Sequence, residues 1–337
     1  MEVWSGIDVS KAFFDASWVG PGTGIEDFQK IPHARFERSR AGVRKYLRWL
    51  KQRAASTAAV RVVMEATGRY SLELQIWLVD KQPSLAPAIV NPKQAKHFHK
   101  SLGLRNKTDS VDSRALGLMG KDRRPQPYEP LPAEYQKLRE FMRQRRDLIQ
   151  IQVGERQRLG ELPKDHREVR SLVQSHLRHL EKLLQRIDRQ THQLLKASPQ
   201  LAQDFALLDT IPGVGRIIAL TVMGELGDLR RFNRSRQVSA MAGISPSNYQ
   251  SGKSPGRSRL NKNSHPEARS VLYMGALTAT RKSSDNHLAR TYRHLINDQG
   301  KCKQQALVAV ARKTLVIMRA LLITQQPYID HFATTAS

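Results

Sequence analysis

Four carboxylates in the first third of the chain have spacings that suit phosphate chemistry. Asp8 closes the run Val3-Trp4-Ser5-Gly6-Ile7-Asp8-Val9, Glu65 follows the apolar run Val60–Met64, and Asp109 and Asp112 fall in Lys107-Thr108-Asp109-Ser110-Val111-Asp112. An acid directly after a buried strand stands at the carboxyl edge of a sheet, where α/β proteins build sites. The i, i+3 spacing of Asp109 and Asp112 puts both on one helix face, although Asp109 could instead serve as the N-cap. Four converging carboxylates would repel one another and raise their own pKa values. A hard cation, Mg²⁺ or Mn²⁺, would relieve that repulsion, bridge phosphate oxygens and assist an in-line displacement.

Cations accompany these acids. Between Asp80 and Asp109 lie Lys81, Lys93, Lys96, Lys100, Arg105 and Lys107, with no acid among them. A second acid-free stretch runs from Leu229 to Pro266 and carries Arg230, Arg231, Arg234, Arg236, Lys253, Arg257, Arg259 and Lys262. Both fit contacts to a phosphodiester backbone, and both could also be solvated faces. The second stretch holds Tyr249-Gln250-Ser251-Gly252-Lys253-Ser254, rich in hydroxyls. A serine attacks phosphorus only if its proton is removed and the pentacoordinate charge is neutralised. Lys253, Arg257 and Arg259 suit the second task; no nearby His or acid suits the first. Ile211-Pro212-Gly213-Val214-Gly215 joins two helical runs like a helix–hairpin–helix, with Gly213 and Gly215 allowing close approach of a phosphate to a helix N-terminus. Pro and Gly as plain turn punctuation would read the same way. His97 and His99, and His176 and His179, lack the companions of a metal site.

The elements that must position these residues differ along the chain. Residues 1–125 read as alternating strands and helices: strands at 3–9, 13–19, 60–64 and 86–90, helices at 43–50 and 71–79, hence a mixed or parallel sheet with helices on its faces. Pro125, Pro127, Pro130 and Pro132 make a stiff linker. Long charged helices follow over 126–200. Val173, Leu177, Leu180, Leu184, Ile187, Thr191 and Leu194 form a heptad seam that could join two copies as a coiled coil or pack within one chain. Residues 201–330 read as mainly helical.

The chain has 337 residues, with 56 Lys+Arg against 30 Asp+Glu, a formal charge of +26. Such charge is costly in self-repulsion unless a polyanion neutralises it, and nucleic acid is the default partner. A single Cys302 excludes an internal disulfide framework and a cysteine-built zinc site. No apolar run is long enough for a membrane helix, and the first residues carry no secretory pattern, so a cytoplasmic protein is expected.

Gly6-Ile7-Asp8-Val9-Ser10-Lys11, Glu65-Ala66-Thr67-Gly68-Arg69-Tyr70 and Leu104–Asp112 together resemble the DEDD insertion-sequence transposases, relatives of the Piv-type DNA invertases. The resemblance implies a RuvC-like, ribonuclease-H-type domain over 1–125 with Asp8, Glu65, Asp109 and Asp112 as its four acids holding Mg²⁺ or Mn²⁺. The region over 126–200 matches the family only in its helical character, and its heptad seam makes it the candidate coiled-coil oligomerisation region. The resemblance also implies a mainly α transposase domain over 201–330, in which Ser251 of Tyr249-Gln250-Ser251-Gly252 is the nucleophile, with Ser254, then Ser247 and Ser258, as weaker candidates. Implied partners are donor and target DNA, a structured noncoding bridge RNA, and further copies of the chain as a dimer to tetramer. A prokaryotic, nucleoid-associated location follows. The contact set expected for nucleic acid is Lys93, Lys96, Lys100, Arg105, Lys107, Gly213, Gly215, Arg230, Arg231, Arg234, Lys253, Arg257, Arg259 and Lys262.

The leading expectation is a site-specific recombinase that mobilises an insertion sequence by serine attack. The alternative is a RuvC-like, metal-dependent Holliday-junction nuclease using water, and a third class is a nucleic-acid-binding protein without catalysis.

Overall fold

The computed structural model describes residues 2–53, 60–104, 108–247, 259–260 and 265–330, with 246, 247, 259 and 260 as backbone alone. The chain divides into two compact units, at residues 1–130 and 131–337.

The first unit is built on a five-stranded sheet, β1 (Val3–Val9), β2 (Phe13–Ser17), β3 (His33–Glu37), β4 (Val60–Glu65) and β5 (Ala88–Val90), in the order β3-β2-β1-β4-β5. β1 pairs antiparallel with β2 and parallel with β4, so the sheet is mixed, as the alternating pattern implies. β3 has no counterpart in the sequence reading. Of its residues only Phe36 is buried, so its apolar signal is a single side chain.

Alternation along β1 and β4 sends their side chains to two layers. Val3, Ile7 and Val9 of β1 and Val60, Val62 and Met64 of β4 pack with Val43, Tyr46 and Leu50 of α1 (Arg40–Lys51) and with Leu74 and Leu78 of α2 (Arg69–Lys81). Trp4 and Val63 face the other way, onto α3 (Pro92–Ser101) and α4 (Asp109–Arg123). By the same period of two, Asp8 and Glu65 share the α4 face.

α4 lies unusually close to that face because small residues meet there. A Cβ on Gly6 would stand 2.1 Å from both Gly117 N and Ser113 O, and one on Gly120 would stand 2.4 Å from the Trp4 ring. Ser17 Oγ donates to Ser113 O at 2.7 Å and accepts from Gly6 N at 3.2 Å, fastening helix to sheet. Thr108 caps α4, its Oγ1 accepting from Val111 N, so Asp109 is the first helical residue and not the cap.

The second unit is helical: α5 (Ala133–Glu161), α6 (Arg167–Ala197), α7 (Pro199–Asp209), α8 (Arg216–Leu226), α9 (Ser235–Met241), the two-residue strands β6 (Pro246–Ser247) and β7 (Arg259–Leu260), α10 (Pro266–Ala279), α11 (His287–Asn297) and α12 (Lys303–Thr324). Two expectations change here. Residues 126–200 do not stand as a region of their own, because Tyr135, Leu138 and Met142 of α5 belong to the same core as α8, α10 and α12. The heptad seam is covered from within the chain: Leu180, Leu184 and Ile187 pack on Leu148, with Phe141 and Ile149 alongside, in an antiparallel pair with α5. Gln152 Nε2 donates to Glu181 and Arg145 to Asp188 along that pair. The seam buries apolar surface either way, and a second helix on a short turn is always present at the higher effective concentration.

Candidate active site

The sheet register builds the acidic site. Asp8 of β1 pairs directly with Asp15 of β2, and Asp15 with Arg35 of β3. On the other side, Ile7 pairs with Met64, which makes Asp8 and Glu65 neighbours one residue further on. One row across four strands therefore reads Arg35, Asp15, Asp8, Glu65, and the first turn of α4 brings Asp109 and Asp112 to it. Like charges set opposite one another destabilise a sheet. The cost shows at Asp8, whose pKa rises from 3.8 to about 6, first by burial and then by repulsion from Asp112, Asp109, Glu65 and Asp15.

Three bases stand around these acids. Arg35 donates from Nε to Asp15 Oδ2 at 3.0 Å and from Nη2 to Asp109 Oδ2 at 2.6 Å, joining a buried carboxylate to one at the surface. His33 Nε2 lies 3.7 Å from Asp15, and His99 Nε2 lies 3.4 Å from Asp112 without hydrogen-bond alignment. Burial pushes the Asp15 carboxyl up, against the opposing pull of Arg35. A surface groove lined by Asp15, His33, Arg35, Thr108, Asp109 and Ser110 opens here, with a volume of about 420 Å³.

Among the described residues, no three His, Cys, Asp or Glu side chains are close enough to hold a metal ion as they stand. The donor set nevertheless fits a hard divalent cation. It is all oxygen at its centre, it lies at one end of one sheet face, and Asp8 carries the mark of unrelieved negative charge.

The expected cationic residues fall into three groups. Lys93, Lys96 and Lys100 project from the exposed side of α3, whose inner side, Ala95 and Phe98, packs next to α4. In the second unit, Arg230 is not a free phosphate contact. It is committed to buried Asp204, at 2.6 Å, and to Asp228, at 2.8 Å. Arg231 donates to Leu226 O and stacks over Phe232 at 4.8 Å, while Arg234 is exposed. Arg105, Lys107, Ser251, Lys253, Arg257 and Lys262 lie outside the described residues, as do Ser254 and Ser258; Arg259 is described only as the backbone partner of Ser247.

Gly213 has φ +79°, and a Cβ there would meet Gly275 O at 2.5 Å, so that glycine serves packing of the turn on α10. Gly215 is the N-cap of α8 and faces open space, which suits approach of an anion.

Sequence reasoning missed Asp15, Arg35 and His33. Asp15 lies inside the hairpin strand that the sequence shows, and the register that sets it opposite Asp8 was the missing signal. A second missed cluster is buried in the helical unit. Glu225 of α8, 2% exposed, accepts from Arg143 at 2.6 and 2.9 Å and lies 3.1 Å from His265 Nδ1. Burial works to raise its pKa, but the bonds from His265 and Arg143 outweigh burial and bring it to about 2.

With this geometry in hand, the similarity to known proteins is informative. A transposase family model of the DEDD type matches residues 5–163, and the model of the IS116/IS110/IS902 transposase family matches 205–293. The chain belongs to the IS110-type DEDD transposases. It is 28% identical to the pilin gene-inverting protein of Moraxella bovis over 97% of this chain and 98% of that one. It is 34% identical to a transposase for the insertion sequence element IS1111A of Coxiella burnetii, over 40% of this chain and 37% of that one. The member of this family described here is thus an enzyme that cleaves and rejoins DNA. No helix among the described residues is long and apolar enough to cross a membrane.

Proposed function

We propose that this transposase is a site-specific recombinase that mobilises or inverts a DNA segment through a protein–DNA intermediate on Ser251. The observation that carries the acidic half of this reading is the row Asp15–Asp8–Glu65 joined by Asp109 and Asp112 at one sheet end. The serine half rests on the family resemblance of Tyr249-Gln250-Ser251-Gly252.

Asp8, Glu65, Asp109 and Asp112 would hold Mg²⁺ or Mn²⁺. When bound, the ion supplies positive charge to the phosphate oxygens and lowers the proton affinity of a hydroxyl near it. The chain's own residues do the rest. Ser251 Oγ attacks phosphorus, an Oγ–P bond forms, one P–O bond to the sugar breaks, the serine proton goes to solvent and the departing sugar oxygen takes one from it. Rejoining reverses the step with a sugar hydroxyl of the other duplex. Arg35 holds Asp109 against Asp15 and so sets where the α4 carboxylates stand. Lys93, Lys96 and Lys100 would carry the flanking backbone without reading sequence. Sequence would be read by a structured noncoding bridge RNA through base pairing, and two to four copies of the chain would assemble around two duplexes.

The test is a denaturing gel of the protein with labelled substrate DNA and Mg²⁺. A covalent adduct is expected, absent in Ser251→Ala. Hydrolysed ends that persist in Ser251→Ala would establish the water-using nuclease instead. RNA sequenced from the purified complex tests the guide.

A further inference from the structure

The solvent face of α1 is strongly basic and, among the described residues, sparsely neutralised. Between Glu37 and Glu65 the chain carries Arg38, Arg40, Arg44, Lys45, Arg48, Lys51, Arg53 and Arg61 and no acid at all. α1 supplies five of these within twelve residues. Arg40 is held by Asp80 at 3.2 Å, and Arg38 by Glu73. Arg44, Lys45, Arg48 and Lys51 are exposed and form no ion pair with a described residue.

Such an arrangement works against the helix. Arg40, Arg44 and Arg48 follow one another at i, i+4, where like charges cost a few tenths of a kcal/mol per pair. An ordinary solvent face mixes signs and avoids that cost. A polyanion removes it. The opposite, apolar side of α1 is already used: Val43, Tyr46 and Leu50 are fully buried under the sheet. The helix therefore has no free apolar face to lay into a lipid surface. The stripe runs about 16 Å from Arg40 to Lys51 at helical rise, the length over which one strand of duplex DNA presents about five phosphates.

Its place in the fold identifies the occupant. α1 covers one face of the sheet, and the acids with α3 and α4 lie on the other. DNA is stiff over far more than this distance, so one undeformed duplex does not lie on both faces. Strand exchange joins two duplexes. We infer that the exposed face of α1 is a docking surface for the backbone of a second DNA duplex, distinct from the one presented to Asp8 and Glu65. This inference rests on the DNA chemistry of the family and not on the identity of the nucleophile.

The experiment uses the full chain in EDTA, so that no cutting intervenes. Duplex DNA is immobilised, protein is added, and capture of a second, labelled duplex is measured alongside binding of a single duplex over a salt series. The variant R44Q/K45Q/R48Q/K51Q, with a thermal melt to confirm its fold, should keep the first duplex and capture the second at a tenth of the wild-type level or less. Each lost phosphate contact removes about 0.9 from the logarithmic salt slope of the second-duplex step, so a fall of about 3 to 4 is expected. R44Q/R48Q should give about half that fall.

Unchanged capture with an unchanged slope overturns the inference. So does a variant that keeps DNA capture while losing a duplex RNA or phosphatidylserine vesicles used as the second probe. Loss of capture in a protein that forms no serine adduct would retain this inference and remove the proposed nucleophile.

Discussion

Two carboxylates, Asp8 and Glu225, are both withdrawn from water and end at opposite extremes. Asp8 sits in a row of acids and is pushed up to about 6, whereas Glu225 sits between Arg143 and His265 and is brought down to about 2. Burial acts in the same direction on both. What differs is the company each keeps. Glu225 is solved as a structural problem, its charge neutralised inside the chain. Asp8 is left as an electrostatic conflict that nothing in its strand relieves, and such unrelieved sites are where function is stored.

The contrast is sharpest in activity. On the proposed mechanism, Asp8→Asn should lower adduct formation on DNA by on the order of 10³-fold, because it would remove one of the carboxylates proposed to hold the metal ion. A variant within tenfold of wild type would show that the acidic row is not the reaction centre. Glu225→Gln should instead act on stability. It leaves Arg143 with its partner charge gone, and urea unfolding should show a loss of about 2–3 kcal/mol, below the range for a fully buried pair because Arg143 is 41% exposed. An unchanged midpoint would mean that the ion pair is not what joins α5, α8 and α10.

The smallest effect is the most diagnostic. A carboxylate whose pKa is raised on folding is harmless to stability below its unfolded value and costs more as pH climbs through the folded one. In EDTA, Asp8→Asn should match wild type near pH 4 and become more stable across the rise from 3.8 to about 6, reaching about 1–3 kcal/mol at pH 7. Glu225 has the opposite sign: its contribution is present above 4.5 and lost as pH falls towards 2. Parallel stability curves for wild type and Asp8→Asn would remove the electrostatic conflict on which the comparison turns.

The seam on α6 carries a related lesson. Leu180, Leu184 and Ile187 repeat as in a coiled coil, and the repeat is real, but it is spent on α5 of the same chain. Periodicity reports that a helix has an apolar side; it does not report whose surface covers it.

Much of the first unit was readable from local pattern. The strands at β1, β2, β4 and β5 follow from β-branched runs and turn residues, α1 and α2 from their apolar period, Asp8 and Glu65 as candidates from their places at the ends of strands, and Asp109 and Asp112 from their i, i+3 spacing. These are properties of neighbouring residues, and neighbours are what a sequence displays. Register, close approach and pairing are not. That Asp15 stands opposite Asp8, that Gly6 lets α4 lie against β1, that Arg230 is absorbed by Asp204, and that His265 returns to Glu225 each depend on segments distant in the chain. Charge type and spacing determined which chemistry this protein could perform; only the packing of distant segments decided which charges meet, because electrostatic and steric interactions act through space and not along the backbone.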